Sequence, residues 1–216
     1  MSDFVFDVSK VEKNYSEKSF ARSRPEPRSD VFFEFRVDSA TLSQARINAE
    51  KGTGGYLQLN LKVSALDSEG NAIFTKFVNI AHPSVYQGHA PHESAPSIFA
   101  ANISALHKEW YAYDTVQQHP ANAKKRIYTR EGVEVKGEAF TSSEKARAAA
   151  AVSLADALID SNENTRNEAL QNLVGRTFYA KVQPDKTGQY VNVRPMVAIL
   201  TEGEKVCYDA HEAYGD

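Results

Sequence analysis

The sequence predicts an α+β fold, mainly β, with five strands and a helical stretch between the third and the fourth. Two observations carry this. Apolar residues recur at period two in five runs, 31–41, 56–66, 72–81, 176–183 and 189–199, the alternation of a half-buried strand. Between the third and fourth runs lie EKARAAAAVSLADALID and ENTRNEALQNLV, whose Ala, Leu and Glu content favours helix.

The elements follow in chain order. Residues 1–30 are polar, contain Arg22, Arg24 and Arg28 around two prolines, and read as an N-terminal arm. VFFEFRV sets Val31, Phe33, Phe35 and Val37 against Glu34 and Arg36 and opens the first strand. YLQLNLKVSAL alternates Leu57, Leu59, Leu61 and Val63 with Gln58, Asn60 and Lys62. The turn DSEGN supplies Gly70 and Asn71, which tolerate positive φ, and AIFTKFVNIAH returns as the other half of a hairpin. Residues 82–140 read as an insertion, with a helix over 97–113 and a hairpin around Glu131-Gly132. Thr141-Ser-Ser-Glu144 matches a capping box, which starts the helices of 142–174 there. Gly175 has the place of a left-handed helix stop and leads into the last two strands. Three strands, helices and two strands is the connectivity of the OB-fold, a partly open Greek-key barrel, here spanning 31–200.

Charge is distributed unevenly. The chain carries −3 overall, and 201–216 alone carry −4, so the body is near neutral and the C-terminal stretch reads as an acidic tail. A near-neutral body leaves room for a local basic face. One cysteine, Cys207, allows no internal disulfide, and the segment MSDFVFDVSK has no apolar core of a signal peptide. No apolar run approaches the ~18 residues of a membrane span, so the expectation is a cytoplasmic protein without a membrane partner.

Enzyme signatures are absent from the sequence: no phosphate-binding loop, no dinucleotide fingerprint before a helix, no HExxH and no GxSxG. KGTGG enters a strand, where no helix N-terminus waits for a phosphate. His82, His89 and His92 are irregularly spaced and read as solvated loop residues, and Cys207 and His211 lack a CxxC partner for zinc. The expectation is a non-enzymatic protein without metal or cofactor.

Rings and cations share strand faces, which is the arrangement that stacks unpaired bases while neutralising phosphates. The candidate residues are Tyr56 and Lys62 on the second strand, Phe74 and Lys76 on the third, Tyr179 and Lys181 on the fourth, and Tyr190 and Arg194 on the fifth. Lys124, Lys125 and Arg126 form the densest cationic run and read either as a solvated loop or as a flap over a nucleic-acid backbone. Phe77 and Phe178 read as core, and Trp110 as helix packing.

The hairpin KGTGGYLQLNLKVSALDSEGNAIFTKFVNIAHP, the closing LVGRTFYAKVQPDKTGQYVNVRPMVAI and the acidic C-terminal stretch together resemble the OB-fold single-stranded DNA-binding proteins of tailed-phage replication modules. The resemblance covers about half the chain. It implies sequence-independent binding of unwound DNA in replication and recombination, an acidic tail that contacts replication proteins, and a setting in the host cytoplasm. Subunit association through the arm is compatible with this. The competing expectation is a protein-interaction or virion-assembly module on a similar barrel.

Overall fold

The computed structural model describes residues 26–184, 191–194 and 196–214. Among the described residues, eight strands and three α-helices are arranged in an α+β fold with two sheets. The larger sheet comprises β1 (Phe32–Gln44), β2 (Leu57–Leu66), β3 (Ala72–Ala81), β7 (Thr177–Pro184) and β8 (Val191–Val193), in the order β3-β2-β1-β7-β8 with every pair antiparallel. The smaller comprises β4 (Thr115–His119), β5 (Asn122–Arg130) and β6 (Val133–Glu134). Among the described residues no ladder joins β3 to β8, so the larger sheet is not closed into a barrel.

The period-two pattern decides which face of this sheet is inside. Phe33, Phe35 and Val37 of β1, Leu59, Leu61 and Val63 of β2, Val78 and Ile80 of β3, and Phe178, Ala180 and Val182 of β7 are all buried on one side. Cross-strand registry puts like with like: Val37 pairs with Val63, Leu61 with Val78 and Phe35 with Phe178. Phe35 and Phe178 stack with ring centroids 5.5 Å apart. A bulge at Asp38 preserves this pairing. It lets β1 run on to Gln44 with Ala40 and Leu42 still on the core side, past the end expected at 41.

The hairpin turn is held by one carboxylate. Asp67 Oδ1 accepts the backbone N–H groups of Glu69 at 2.9 Å and Asn71 at 2.8 Å, and Gly70 takes a φ of 84°.

Helix α1 (Ala95–Ala105), α2 (Gly137–Leu158) and α3 (Glu163–Gln171) cover the inner side. Helix α2 buries Ala151, Ala155 and Leu158, a narrow stripe that lets α1 pack closely through Phe99 and Ile103. Three expectations are corrected here. The helix expected over 97–113 stops at Ala105, and a short 3-10 turn, Lys108–Trp110, follows. The stop leaves His107 buried, with its ring stacked on Trp110 at 3.8 Å. The helix expected from 142 begins at Gly137, so Thr141 is not its cap: its hydroxyl donates to the Gly137 carbonyl at 3.1 Å. The hairpin expected at Glu131-Gly132 exists as β5 and β6, but β4 is its longer partner.

Residues 201–214 do not hang free as a tail. The Cys207 N–H donates to the Phe32 carbonyl at 2.8 Å, and the Phe32 N–H to the Lys205 carbonyl at 3.0 Å, so this stretch lines the start of β1. Further on, Ala213 is buried, its carbonyl accepts the Arg28 N–H, and the Tyr214 ring meets Phe74 edge-on at 6.2 Å. The acidic side chains lie on a docked strap whose apolar positions complete the core.

His82, expected in solvent, is also part of the core at 1% exposure. Its Nε2–H donates to the Ala155 carbonyl at 3.0 Å, which leaves Nδ1 to accept from Ser84, and its ring meets Phe99 edge-on. Burial holds its pKa below the usual 6.5, and burial does the same for His107. Below pH ~6.5 the unfolded chain takes up these protons first, so stability is lost as pH falls towards the folded values. The urea midpoint is expected to drop between pH 7 and pH 5, with the His82 ring protons in NMR titrating below the free-histidine value. A midpoint flat across that range would contradict it.

Candidate nucleic-acid interface

Antiparallel partners share a face, so the ladder identifies what lies outside the sheet. Lys62 pairs with Phe77, Asn60 with Asn79, and Ser64 with Thr75. These residues share the outer face of β2 and β3, which is open at Lys62, Thr75, Phe77 and Asn79, while Ser64 is buried with its hydroxyl donating to Asp38 Oδ2. Phe77, expected in the core, is 69% exposed beside the exposed Lys62, the one large ring on this face next to an unpaired cation among the described residues. Arg36 stands further along on β1, with Nε 3.4 Å from Asp38 Oδ1 and its Nη1 donating to the Gly70 carbonyl at 3.3 Å.

Between the two ends runs a row of amides. Gln58 donates to Asn60 Oδ1 at 2.8 Å, and Asn60 donates to Ser43 Oγ at 2.8 Å. Tyr56, half-buried, closes the other end against the 45–56 loop, where a cavity of about 450 Å³ is lined by Gly54, Tyr56, Ala81, His89 and His92 among others. The loop folds tightly onto itself at Gly54: a Cβ there would lie 1.9 Å from the Arg46 carbonyl oxygen, and φ is +97°. Tyr56 and Lys62 are six steps apart along the strand direction, about 20 Å at ~3.4 Å each.

The other sequence candidates fall into distinct places. Phe74 and Lys76, expected beside Lys62, pair with Ala65 and Val63 and therefore belong to the core side. Phe74 meets Phe33 and Phe35 edge-on at 5.1 and 5.9 Å and packs, partly buried, against the core. Ile73 is the extra residue at a bulge between the pairs Ala65–Phe74 and Leu66–Ala72, and it reverses the face assignment of everything that follows the turn. Val78 and Ile80 alternating with Asn79 is the signal in the sequence that places Phe77 outside.

Tyr179 and Lys181 do point to the outer face, but there they are engaged. Lys108 Nζ sits 4.7 Å from the Tyr179 ring centroid, and Lys181 Nζ donates to the Asp30 carbonyl at 3.2 Å while lying over Phe32. Tyr208, from the docked strap, donates to Glu34 Oε2 at 3.0 Å, and burial with the adjacent carboxylate pushes its hydroxyl far above the ordinary tyrosine range. The outer face thus has a covered half over β1 and β7 and an open half over β2 and β3.

Arg194 is exposed just beyond β8, with its N–H on the Lys181 carbonyl at 3.0 Å. Tyr190 lies outside the described residues. Lys124, Lys125 and Arg126 are all exposed on β5, away from this face. Lys124 and Arg126 look across a polar cavity of about 550 Å³ at Glu202 and Glu204. Trp110 is held on His107, while Tyr111, Tyr113, Tyr128 and Phe140 form a ring cluster capped by Arg147, whose guanidinium carbon is 4.1 Å from the Tyr111 centroid. Arg176 is tied to Glu109 at 2.8 Å and to the Asn172 carbonyl at 2.6 Å, which makes it a structural clamp.

Cys207 is buried, its thiol donates to the Asp209 carbonyl at 3.3 Å, and burial pushes its pKa up, away from reactivity. Among the described residues no group of three His, Cys, Asp or Glu side chains comes together as a metal site, and no helix is long and apolar enough to cross a membrane. Neither a protein-family model nor a curated protein matches the chain.

Proposed function

We propose that the chain binds single-stranded DNA without regard to sequence and without catalysis, through the open face of β2 and β3. The observation that carries this is Phe77, exposed to 69% and directly opposite Lys62, on a face whose other exposed groups are mostly amides and hydroxyls. A ring offers a platform to any base, and an adjacent ammonium neutralises the phosphate that joins it to the next. The amide row supplies uncharged hydrogen-bonding groups where the strand passes between Phe77 and Tyr56. Arg36, on the β1 side, adds a second cation at its border.

An OB-type barrel is the architecture that fits this reading. The strand order is 3-2-1-4-5 in that fold's numbering, the helices fall between its third and fourth strands, and the edge strands β3 and β8 approach within 8 Å between Cα atoms. Replication and recombination of phage DNA in a host cytoplasm is the setting the sequence resemblance suggests. The docked strap keeps several carboxylates exposed for a replication partner.

The test is a titration of fluorescently labelled oligo-dT at several salt concentrations. Binding is expected to weaken with salt at about −0.7 log unit per neutralised phosphate, and Lys62→Ala is expected to reduce the slope by about that amount. No binding, or binding indifferent to salt, rejects the proposal. In the former case a protein-interaction or assembly role would take its place.

A further inference from the structure

A second surface has the opposite character. Between α1 and α2, a cavity of about 260 Å³ is lined by Pro83, Phe99, Ala100, Val152, Asp156 and Ile159, among others, with His82 at its base. Its walls are mostly apolar: Phe99 and Ala100 come from α1, and Val152 from α2 and Ile159 just past its end, with Asp156 between them at helical spacing. Val152 is 60% exposed and Ile159 42%, although alanine or a polar residue would serve as well on a helix facing water.

The volume lies below the ~300–1,000 Å³ of small-molecule sites, which suits one or two large side chains of a peptide and not a cofactor. Both ring nitrogens of His82 are already hydrogen-bonded within the protein, so the base of the cavity makes no polar demand on an occupant. The charged side chain that lines it is an acid, Asp156. Residues 82–107 and 148–165, which build the two walls and their flanks, contain no lysine or arginine but include Glu93, Asp156, Asp160 and Glu163. The two arginines that bracket the second of these stretches are engaged elsewhere: Arg147 lies over the Tyr111 ring at 4.1 Å and pairs with Glu144 at 3.6 Å, and Arg166 turns its guanidinium onto the Asp160 and Ser161 carbonyls. A polyanion is repelled here, and an apolar anchor flanked by positive residues is favoured on both counts.

We infer that the α1–α2 groove is a docking site for a partner protein segment, an amphipathic helix that inserts a large apolar side chain between Phe99 and Val152 and sets a lysine or arginine against Asp156. This goes beyond the DNA-binding reading and does not rest on it, because no residue of the groove belongs to the β2–β3 face.

The experiment uses the full chain and two fluorescein-labelled helical peptides with the same leucine positions, one with lysines on its polar face and one with glutamates. Binding is followed by polarisation, and the site by NMR of the Val and Ile methyl groups. The lysine peptide is expected to bind at least about tenfold tighter than the glutamate peptide. It is expected to shift the Val152 and Ile159 methyls and to lose about tenfold in affinity in Val152→Glu, with a smaller loss in Asp156→Asn. Val152 is exposed, so Val152→Glu leaves folding intact, which its circular dichroism verifies. Equal binding of the two peptides, wild-type affinity in Val152→Glu, or shifts confined to other regions would overturn the inference. So would a homodimer in sedimentation that Val152→Glu dissolves, since the occupant would then be a second copy. Oligo-dT binding in Val152→Glu is expected to match the wild type, which separates a failure here from a failure of the DNA reading.

Discussion

Phe178→Ala is expected to lower the stability of the folded chain by about 3–5 kcal/mol, the usual cost of emptying a buried phenylalanine site. Phe178 is fully buried, sits directly opposite Phe35 in the β1–β7 ladder, and stacks on it at 15° between ring planes. The pair adds about 0.5–1.5 kcal/mol beyond the buried area. The site has little room to collapse, because Phe33, Phe74 and the docked Tyr214 continue the same ring cluster from the other side of Phe35. Against a typical total of ~5–15 kcal/mol, this removes a third or more of the stability and lowers the melting temperature on the order of 10 °C. The measurement is urea unfolding followed by circular dichroism. A loss under about 1 kcal/mol would mean that the Phe35–Phe178 contact does not anchor β7 to the sheet.

Much of this arrangement was legible from local signals. The β2–β3 hairpin follows from the alternation in YLQLNLKVSAL and the turn chemistry of DSEGN, and both are local. The two helices before β7 follow from composition, and Asn162 caps the second by accepting the Asn164 N–H at 3.0 Å. What local pattern does not contain is a bulge. Ile73 adds a single residue to β3 and turns Phe77 outward and Phe74 inward, so a face assignment counted from the turn comes out reversed while the strand itself is right.

The remaining differences have the same non-local origin. TVQQH has no apolar alternation of its own, and β4 forms because β5 pairs with it on one side and Thr201 on the other. TSSE looks like a helix start, but Phe140 just before it packs on Tyr113 and Tyr128 and draws the helix one turn further back. In 201–214 the carboxylates dominate the composition, yet Val206, Cys207, Ala213 and Tyr214 make the contacts, and their significance depends on the groove at the start of β1 that receives them. Contacts equally distant in sequence, from Lys108 and from Asp30 and Phe32, remove Tyr179 and Lys181 from the candidate interface. A free ring and a free cation can be read from sequence only as far as no distant segment covers them.

Phe77 gives the sharpest functional expectation because the same chemistry has opposite consequences at two neighbouring rings. Phe77→Ala is expected to weaken oligo-dT binding by about 1–3 kcal/mol for the lost stacking, roughly 5- to 150-fold. Its slope against salt should stay as in the wild type, since no phosphate contact is lost. Stability should change by less than about 0.5 kcal/mol, because the ring is 69% exposed and fills no cavity. Phe77→Trp should restore binding through a larger π-face. Phe74→Ala, three residues away on the other face, should reverse the pattern: a clear loss of stability from the ring cluster it joins with Phe33 and Phe35, and unchanged affinity in the fraction that is folded. Wild-type affinity in Phe77→Ala, in a protein that does bind oligo-dT, would move the stacking surface away from β3. The amide row beside Lys62 would then be a solvated sheet face.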